Sequence, residues 1–535
     1  MKSKSLIILF YISCYIVGQS QNFQINWQNC YGGSQSDIPY DMAVVDGGYL
    51  IVGGTSSADG DVTYNHGNTD VWLMKIDFEG NLLWEKTIGG SNAEYCSQII
   101  NPLDNSYYLL CTTLSSDGDI SFDPYPESTD FWIVKIDDEG NIIWDKIVGG
   151  NAGDDVWAGS LTNDGGIVMI GTTYSNDGDV SISYGGPDSW IVKLSSESIL
   201  EWDFTIGTDW IDKGQAIIAT SDGGYLAESS SILLEGGYGN IFSTPHSYGW
   251  TDGVIFKLDS NLQVEWQKCY GGSDHDGIFG MLEIEDGYIL TGSTSSNDGD
   301  VSGWYGASDS WILKIDFNGN IIWQNPLGGS YGESGSIIIQ NSSGSFYSIV
   351  NTYSNNGDVS GNHSISIFDS DLWLVKLNND GELTSQQCIG GIRTDCIEFG
   401  VIKKSEHTFV LAAQTNFGPS YDVQCDPHGV YPDNDFWVLE ISDSTTGIVE
   451  PAFNNDLINI YPNPAKDYMI LETKEHNQLD HSEILIRDIY GNQITTVMLN
   501  SNQTVWDTRS IAPGIYFYRT VIDGEVVSGK IIFKK

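Results

Sequence analysis

One block of ten residues, Asn81 to Gly90 (NLLWEKTIGG), returns down the chain as NIIWDKIVGG from Asn141, as NIIWQNPLGG from Asn320 and, in weaker form, as VEWQKCYGG from Val264. Its tryptophan recurs as Trp27, Trp84, Trp144, Trp202, Trp266 and Trp323, at intervals of 57, 60, 58, 64 and 57 residues. A seventh copy, from Ser385, loses the tryptophan and keeps Gly390 and Gly391. Self-similarity at a near-constant period constrains the fold more tightly than composition does, because each copy must bury its apolar face against the next. Seven units therefore fill residues 23 to 443.

Within a unit, four short apolar or alternating runs are bounded by glycine, aspartate and asparagine, which is the signature of strands. In the first unit they are Asp41 to Val45 (a), Tyr49 to Thr55 (b), Asp70 to Asp77 (c) and Asn81 to Thr87 (d). Asp46-Gly47-Gly48 and the Asp77 to Asn81 stretch supply tight-turn chemistry between a and b and between c and d. Four antiparallel strands repeated seven times predict an all-β chain, a seven-bladed β-propeller. The chain opens with a d-type strand, Phe23 to Cys30, whereas the seventh unit dissolves after Ser442 where its own d strand is due. The first strand is thus expected to complete the last blade and leave no open edge. Trp72, Trp132, Trp190, Trp311, Trp373 and Trp437 form a second tryptophan column, in strand c, and both columns read as filling between blades.

These units resemble the β-propeller repeat of secreted bacterial proteins, through Gly272-Ser273 to Asp276, Gly292-Ser293-Thr294-Ser295-Ser296 and Asp309 to Asp316. That resemblance covers about 420 residues and implies architecture without an activity. After a polar connector the pattern changes. Tyr461-Pro462-Asn463-Pro464, Asp488-Ile489-Tyr490-Gly491-Asn492, Ile511-Ala512-Pro513-Gly514-Ile515-Tyr516 and Lys530-Ile531-Ile532 resemble the type A C-terminal sorting domain of the type IX secretion system. The resemblance implies a small immunoglobulin-like β-sandwich, contact with that export machinery, a Bacteroidota source and a secreted or outer-membrane surface location. At the other end, Lys2 and Lys4 precede an apolar run from Leu6 to Val17 and small residues at Gly18 and Ser20, a secretory leader too short to span a membrane. The domains expected are a leader at 1–20, the propeller at 21–446, a linker at 447–457 and the sorting domain at 458–535. No transmembrane segment is expected.

The 23 bases against 72 acids give a net charge of −49, which excludes a nucleic-acid binder. The acids fall in columns. Asp37, Glu94, Asp154, Asp212, Asp276, Glu333 and Asp395 each follow a Gly-Gly site by four residues and are expected to ring the channel mouth as a ligand-binding surface. The b-to-c connections on the same face carry Asp59 and Asp61, Asp117 and Asp119, Asp177 and Asp179, Asp298 and Asp300, and Asp358 after Asn356. Paired carboxylates in glycine turns suit calcium as hard oxygen ligands, and equally suit capping of the turn's own N–H groups; units four and seven depart from the pattern. A third column, Asp70 to Asp435, opens strand c in every unit, and five residues further on stand Lys75, Lys135, Lys193, Lys257, Lys314 and Lys376, with Glu440 breaking the series. These lysines are expected to pack between blades and meet carboxylates.

Sialidase chemistry needs an arginine cluster, and the seven units hold one arginine, Arg393. A glycosidase needs two carboxylates in unlike environments, and a repeated ring argues against that. Individuality lies in two long b-to-c loops: Tyr238, Phe242, His246, Tyr248 and Trp250 in unit four, and His428 and Tyr431 in unit seven. Aromatics on a rigid rim suit polysaccharide or protein recognition, or pack within their own loop. Cys425 is placed to reach Cys30, and Cys96 faces Cys111 across a hairpin, although spacing does not fix the pairing. The sequence thus points to an exported surface or secreted binding and adhesion propeller; the alternative is a carbohydrate-active hydrolase or lyase using carboxylates at the channel mouth.

Overall fold

The computed structural model divides the chain into two compact units, Met1–Ser444 and Thr445–Lys535. It describes residues 23–102, 104–231, 239–241, 251–429 and 431–443 of the first, and 458–461, 465–466, 468–473, 483–488, 493–499, 503–509, 511–522 and 525–534 of the second. The expected leader and linker lie outside the described residues. So do all five aromatic and histidine positions named for the unit-four loop. Among the described residues no helix is long and apolar enough to cross a membrane.

Among the described residues the first unit forms seven antiparallel sheets, each taking its strands in the order a-b-c-d. In blade 1 these are Asp37–Val45, Gly48–Thr55, Asp70–Asp77 and Leu82–Ile88. Strand a therefore starts four residues before its expected position, because Asp37 pairs with Thr55 in the ladder. A register shift between Pro39 and Asp41 inserts one extra residue, Tyr40. Blades 2, 3, 5 and 6 shift register at the same place in strand a. Blades 4 and 7 break strand a there, into Asp212–Lys213 and Ile217–Ala219, and into Asp395–Cys396 and Val401–Ser405. A bulge of this kind turns a side chain out of the sheet, here at the innermost strand.

The ring closes as the strand pattern requires. Phe23–Tyr31 lies antiparallel to Asp435–Asp443, from Phe23 opposite Asp443 to Tyr31 opposite Phe436, and serves as strand d of blade 7. A disulfide joins Cys30 to Cys425. Cys96 and Cys111 stand opposite each other in blade 2 as free, buried thiols.

The two tryptophan columns do different jobs. All six strand-c indoles are fully buried. Each donates its Nε1–H to a polar side chain on the adjacent strand d: Trp72 to Glu85, Trp132 to Asp145, Trp190 to Asp203, Trp311 to Gln324, Trp373 to Gln386 and Trp437 to Gln28, at 2.8–3.1 Å. Burying the ring while satisfying its one donor is what makes a tryptophan affordable in a core. The strand-d indoles are half-buried, and Trp27, Trp84, Trp266 and Trp323 lie over the c-to-d turn glycines of the next blade, Gly80, Gly140, Gly319 and Gly381. A Cβ on Gly140, whose φ is +72°, would lie 2.7 Å from the Trp84 ring, so that position needs glycine for both backbone and space.

The lysine column pairs throughout: Lys75 with Asp138, Lys135 with Asp104, Lys193 with Asp164, Lys257 with Asp222, Lys314 with Asp286 and Lys376 with Asp443. At the broken position Glu440 reverses the polarity and takes Lys404 from strand a of its own blade.

In the second unit a three-stranded sheet and a four-stranded sheet share one core. Met469 and Leu471 come from the first sheet, Ile484, Ile486, Tyr516 and Phe533 from the second. This is the two-layer arrangement of a small immunoglobulin-like sandwich.

Candidate functional site

The Gly-Gly face is built from one junction repeated around the ring. At its end, each blade carries an acid–hydroxyl–acid rung across strands a, b and c, as in Asp154–Thr173–Asp188 or Asp276–Thr294–Asp309. The seven strand-a acids are at most 2 % exposed. Each accepts the N–H of the residue four before it: Gly33 to Asp37 at 2.7 Å, Gly90 to Glu94 at 2.8 Å, Gly150 to Asp154 at 2.9 Å, Thr208 to Asp212 at 2.6 Å, Gly272 to Asp276 at 2.7 Å, Gly329 to Glu333 at 2.9 Å and Gly391 to Asp395 at 2.5 Å. The expectation of an open carboxylate ring is corrected here. These acids start strands instead of lining a loop: one oxygen of each is held by the turn, strand-b hydroxyls such as Thr113 and Thr352 take the other in places, and Asp154, Asp212, Asp276 and Asp395 keep Oδ1 buried without a partner.

The strand-c acid of the preceding blade comes up against the same glycines. A Cβ on Gly149 would lie 1.9 Å from Asp130 Oδ1 and 2.9 Å from Asp154 Oδ2, so glycine is required where two buried carboxyls meet. Desolvation pushes these groups up: Asp130 to about 8, with the nearby Asp154 charge adding to it, Asp154 and Asp188 to about 6, Glu333 and Asp435 to about 7. Asp188 Oδ1 and Asp309 Oδ1 are buried without a hydrogen-bond partner.

The Asp-Gly-Asp turns clamp onto the Gly-Gly segment that leads into their own blade. The first aspartate accepts the N–H after the glycine pair: Ser34 to Asp59, Ser91 to Asp117, Asn151 to Asp177 and Ser273 to Asp298, with Asn356 doing the same for Ser330. The second accepts the N–H of the first glycine, as for Asp61, Asp119, Asp179, Asp300 and Asp358, and returns its own N–H to that glycine's carbonyl. This is the turn-capping use of the aspartates. Among the described residues no group of three His, Cys, Asp or Glu side chains is arranged to hold a metal ion. Two clamp residues stand outside the Asp-Gly-Asp motif. Asn240 in blade 4 and Asp422 in blade 7 make the same reciprocal pair, with Gly207 and Gly390.

Three histidines bridge consecutive junctions around the ring closure. His363 stands 2.9 Å from Asp371 and 3.7 Å from Asp422; His428 is 3.8 Å from Asp61 and 3.9 Å from Asp435; His66 is 3.0 Å from Asp70 and 3.5 Å from Asp119. The hydrogen bond to Asp371 raises His363 above the ordinary imidazole value. Tyr431, the other unit-seven position, is exposed, and the Arg393 guanidinium stacks 4.9 Å from its ring centre.

Repetition breaks between blades 4 and 5. A cavity of about 440 Å³ opens there, within the size range of small-ligand sites. Phe279 is its largest apolar wall; Lys213, Gln215, Ser230, Ser293 and Ser295 are among its polar ones. Phe279 is the extra residue of the strand-a bulge, between Ile278 and Gly280 in the ladder, and it also borders the neighbouring channel space with Trp157 and Phe399. A Cβ on Gly277 would lie 2.8 Å from the Phe279 ring, so this glycine admits the ring's orientation. On the opposite wall, Glu228 replaces the aliphatic residues that most blades place in strand b, such as Val52, Leu110 and Ile170. It is fully buried and takes the Gln215 N–H at 3.1 Å and the Ser230 hydroxyl at 2.6 Å. The Gln215 N–H is thereby satisfied outside the ladder, at the break in strand a of blade 4. Burial pushes the Glu228 carboxyl up to about 8. His275 is exposed and meets Thr251 Oγ1 at 3.2 Å.

The family described as the secretion system C-terminal sorting domain matches residues 459–534. The chain therefore carries the address of a type IX export substrate, a secreted or cell-surface protein. None of the curated proteins matches it. Among solved structures it is similar to the Pan2 WD40 domain of Neurospora crassa at 12% identity, over 80% of this chain and 96% of that one, with a TM-score of 0.42. A Dyadobacter fermentans protein of unknown function is similar at 8% identity, over 79% and 100%, with a TM-score of 0.37. Both likenesses are too distant to bear on ligand or activity.

Proposed function

We propose that the protein is an exported binding and adhesion propeller of a Bacteroidota bacterium, holding an extracellular polysaccharide or protein at the mouth between blades 4 and 5. The sorting domain supports the export half of this reading. The binding half rests on one observation. On a face whose glycine turns and acids are largely paired with one another, a cavity among the described residues presents hydroxyl, amide and ammonium groups beside an aromatic wall. Exposed Tyr431 and His428 on the same face are further contacts for a long ligand.

The hydrolase alternative draws no support from the acids at this mouth. Asp276 is committed to Gly272 and Ser296, and Glu228 to Gln215 and Ser230. Asp276 Oδ1 is left without a hydrogen-bond partner, but it is buried, and Glu228 is buried with it.

The test is retention of the purified full chain on matrix polymers recovered from a culture of the producing bacterium, split into polysaccharide and protein fractions. Wild type is expected to be retained by one fraction, and Phe279→Ala to pass through while melting like wild type. Equal retention of the two proteins, or of neither, overturns the proposal.

A further inference from the structure

We infer that the cavity between blades 4 and 5 takes a neutral sugar residue of a polysaccharide chain, stacked on Phe279 and hydrogen-bonded by Gln215, Ser230, Ser293 and Ser295. The inference rests on the binding function proposed above and gives its ligand a chemical class.

Four features of the site carry it. The first is the wall chemistry. Hydroxyl and amide groups both donate and accept hydrogen bonds, as a sugar hydroxyl does; Ser230 already meets Glu228 and Gln215 Oε1, which leaves its oxygen to accept and the Gln215 amide to donate, and an apolar ligand would use neither. The second is Phe279, turned out of its strand by the bulge and given room by Gly277. A flat ring face beside polar groups matches the C–H face of a pyranose. The third is charge. The ring carries acids on every junction of this face and the chain has a net charge of −49, so a polyanionic chain is repelled before it arrives. Lys213 is the cavity's single lysine and has no ion pair among the described residues, in contrast to the six strand-c lysines. One ammonium is enough to hydrogen-bond a hydroxyl and too little to reverse that field. The fourth is Glu228. It fixes Ser230 and the Gln215 backbone from behind the wall, so both are held in place before a ligand enters. Glu228 is thus a positioning residue.

The experiment is calorimetric titration of the full chain with laminarin, mannan and arabinoxylan as neutral chains and with polygalacturonate and alginate as acidic ones, at low and high salt. The expected result is binding to at least one neutral chain, insensitive to salt, weakened about tenfold or more by Phe279→Ala and less by Ser230→Ala. Gly277→Ala, which crowds the ring without removing it, is expected to weaken binding with the melting temperature unchanged. Binding confined to the acidic chains and abolished by salt overturns the sugar class, as does neutral-chain binding that survives Phe279→Ala. If no polysaccharide binds while the matrix protein fraction still retains the chain through Phe279, the inference falls and the binding function stands.

Discussion

The junction between blades 2 and 3 and the mouth between blades 4 and 5 share one frame and differ in where its polar groups point. At the former, Asp130, Asp154, Asp177 and Asp179 are all turned onto backbone N–H groups or hydroxyls of the junction itself. At the latter, the clamp is kept by Asp276, Asp298 and Asp300, while Phe279 and the split strand around Gln215 turn side chains toward the cavity. The difference teaches that acid content does not mark the site in this ring. The acids hold the blades, and the proposed site lies beside residues such as Glu228 and Phe279 that the other units do not place there.

Substitution should separate the two regions most strongly. Trp132→Ala, which empties a fully buried position between blades, is expected to cost about 3–5 kcal/mol in a urea melt, against less than about 1 kcal/mol for half-buried Phe279→Ala. Similar costs would erase the distinction between frame and site.

A second separation comes from pH. Six junction acids, Asp130, Asp154, Asp188, Asp309, Glu333 and Asp435, have folded values of about 6 to 8, above those of an unfolded chain. Well below pH 4, these groups are protonated in both states. As pH rises toward 8 the unfolded chain ionises first, so stability is withdrawn step by step. His363, also raised, adds to the same trend: its contribution is present below the ordinary imidazole value and lost as pH rises through the folded one. Asp164 and Asp222, lowered to about 2 by their lysine partners and hydrogen bonds, act only on the acid side of this window. The melting temperature should therefore be higher at pH 5 than at pH 8 by scanning calorimetry. A flat or rising profile would show that the junction acids stay charged in the fold.

The smallest effect is expected from metal. Because the Asp-Gly-Asp turns are closed by backbone N–H groups, chelator should leave the melting temperature where it was. A clear rise on adding calcium would assign those turns to ion binding after all.

The repeat made the blades legible, since a column of tryptophans at a fixed spacing admits few other folds. Ring closure was equally readable, from a surplus first strand and a missing last one. The clamps were half-legible: Asp59 and its kin announced themselves by motif, but Asn240 and Asp422 hold equivalent places with different neighbours in sequence. The cavity was hidden for a physical reason. It is made by a bulge, which moves Phe279 off the strand's alternation, and by Glu228, which sits in an apolar run and shows its meaning only against the ladder gap at Gln215. The acid column misled because a residue four after a glycine pair looks like loop, and only cross-strand pairing with Thr55 and its counterparts makes it strand.

The closing strand has a consequence for how such a chain comes into being. Residues 23–31 have no ladder partner until residues 435–443 exist and are free to move. A chain emerging amino end first therefore passes through a horseshoe, with the outer edge of one blade and the first strand both unsatisfied. Whatever carries it across an envelope must keep that horseshoe from pairing with its neighbours, and the Cys30–Cys425 bond, 395 residues apart in sequence, can seal it only once the last blade has arrived.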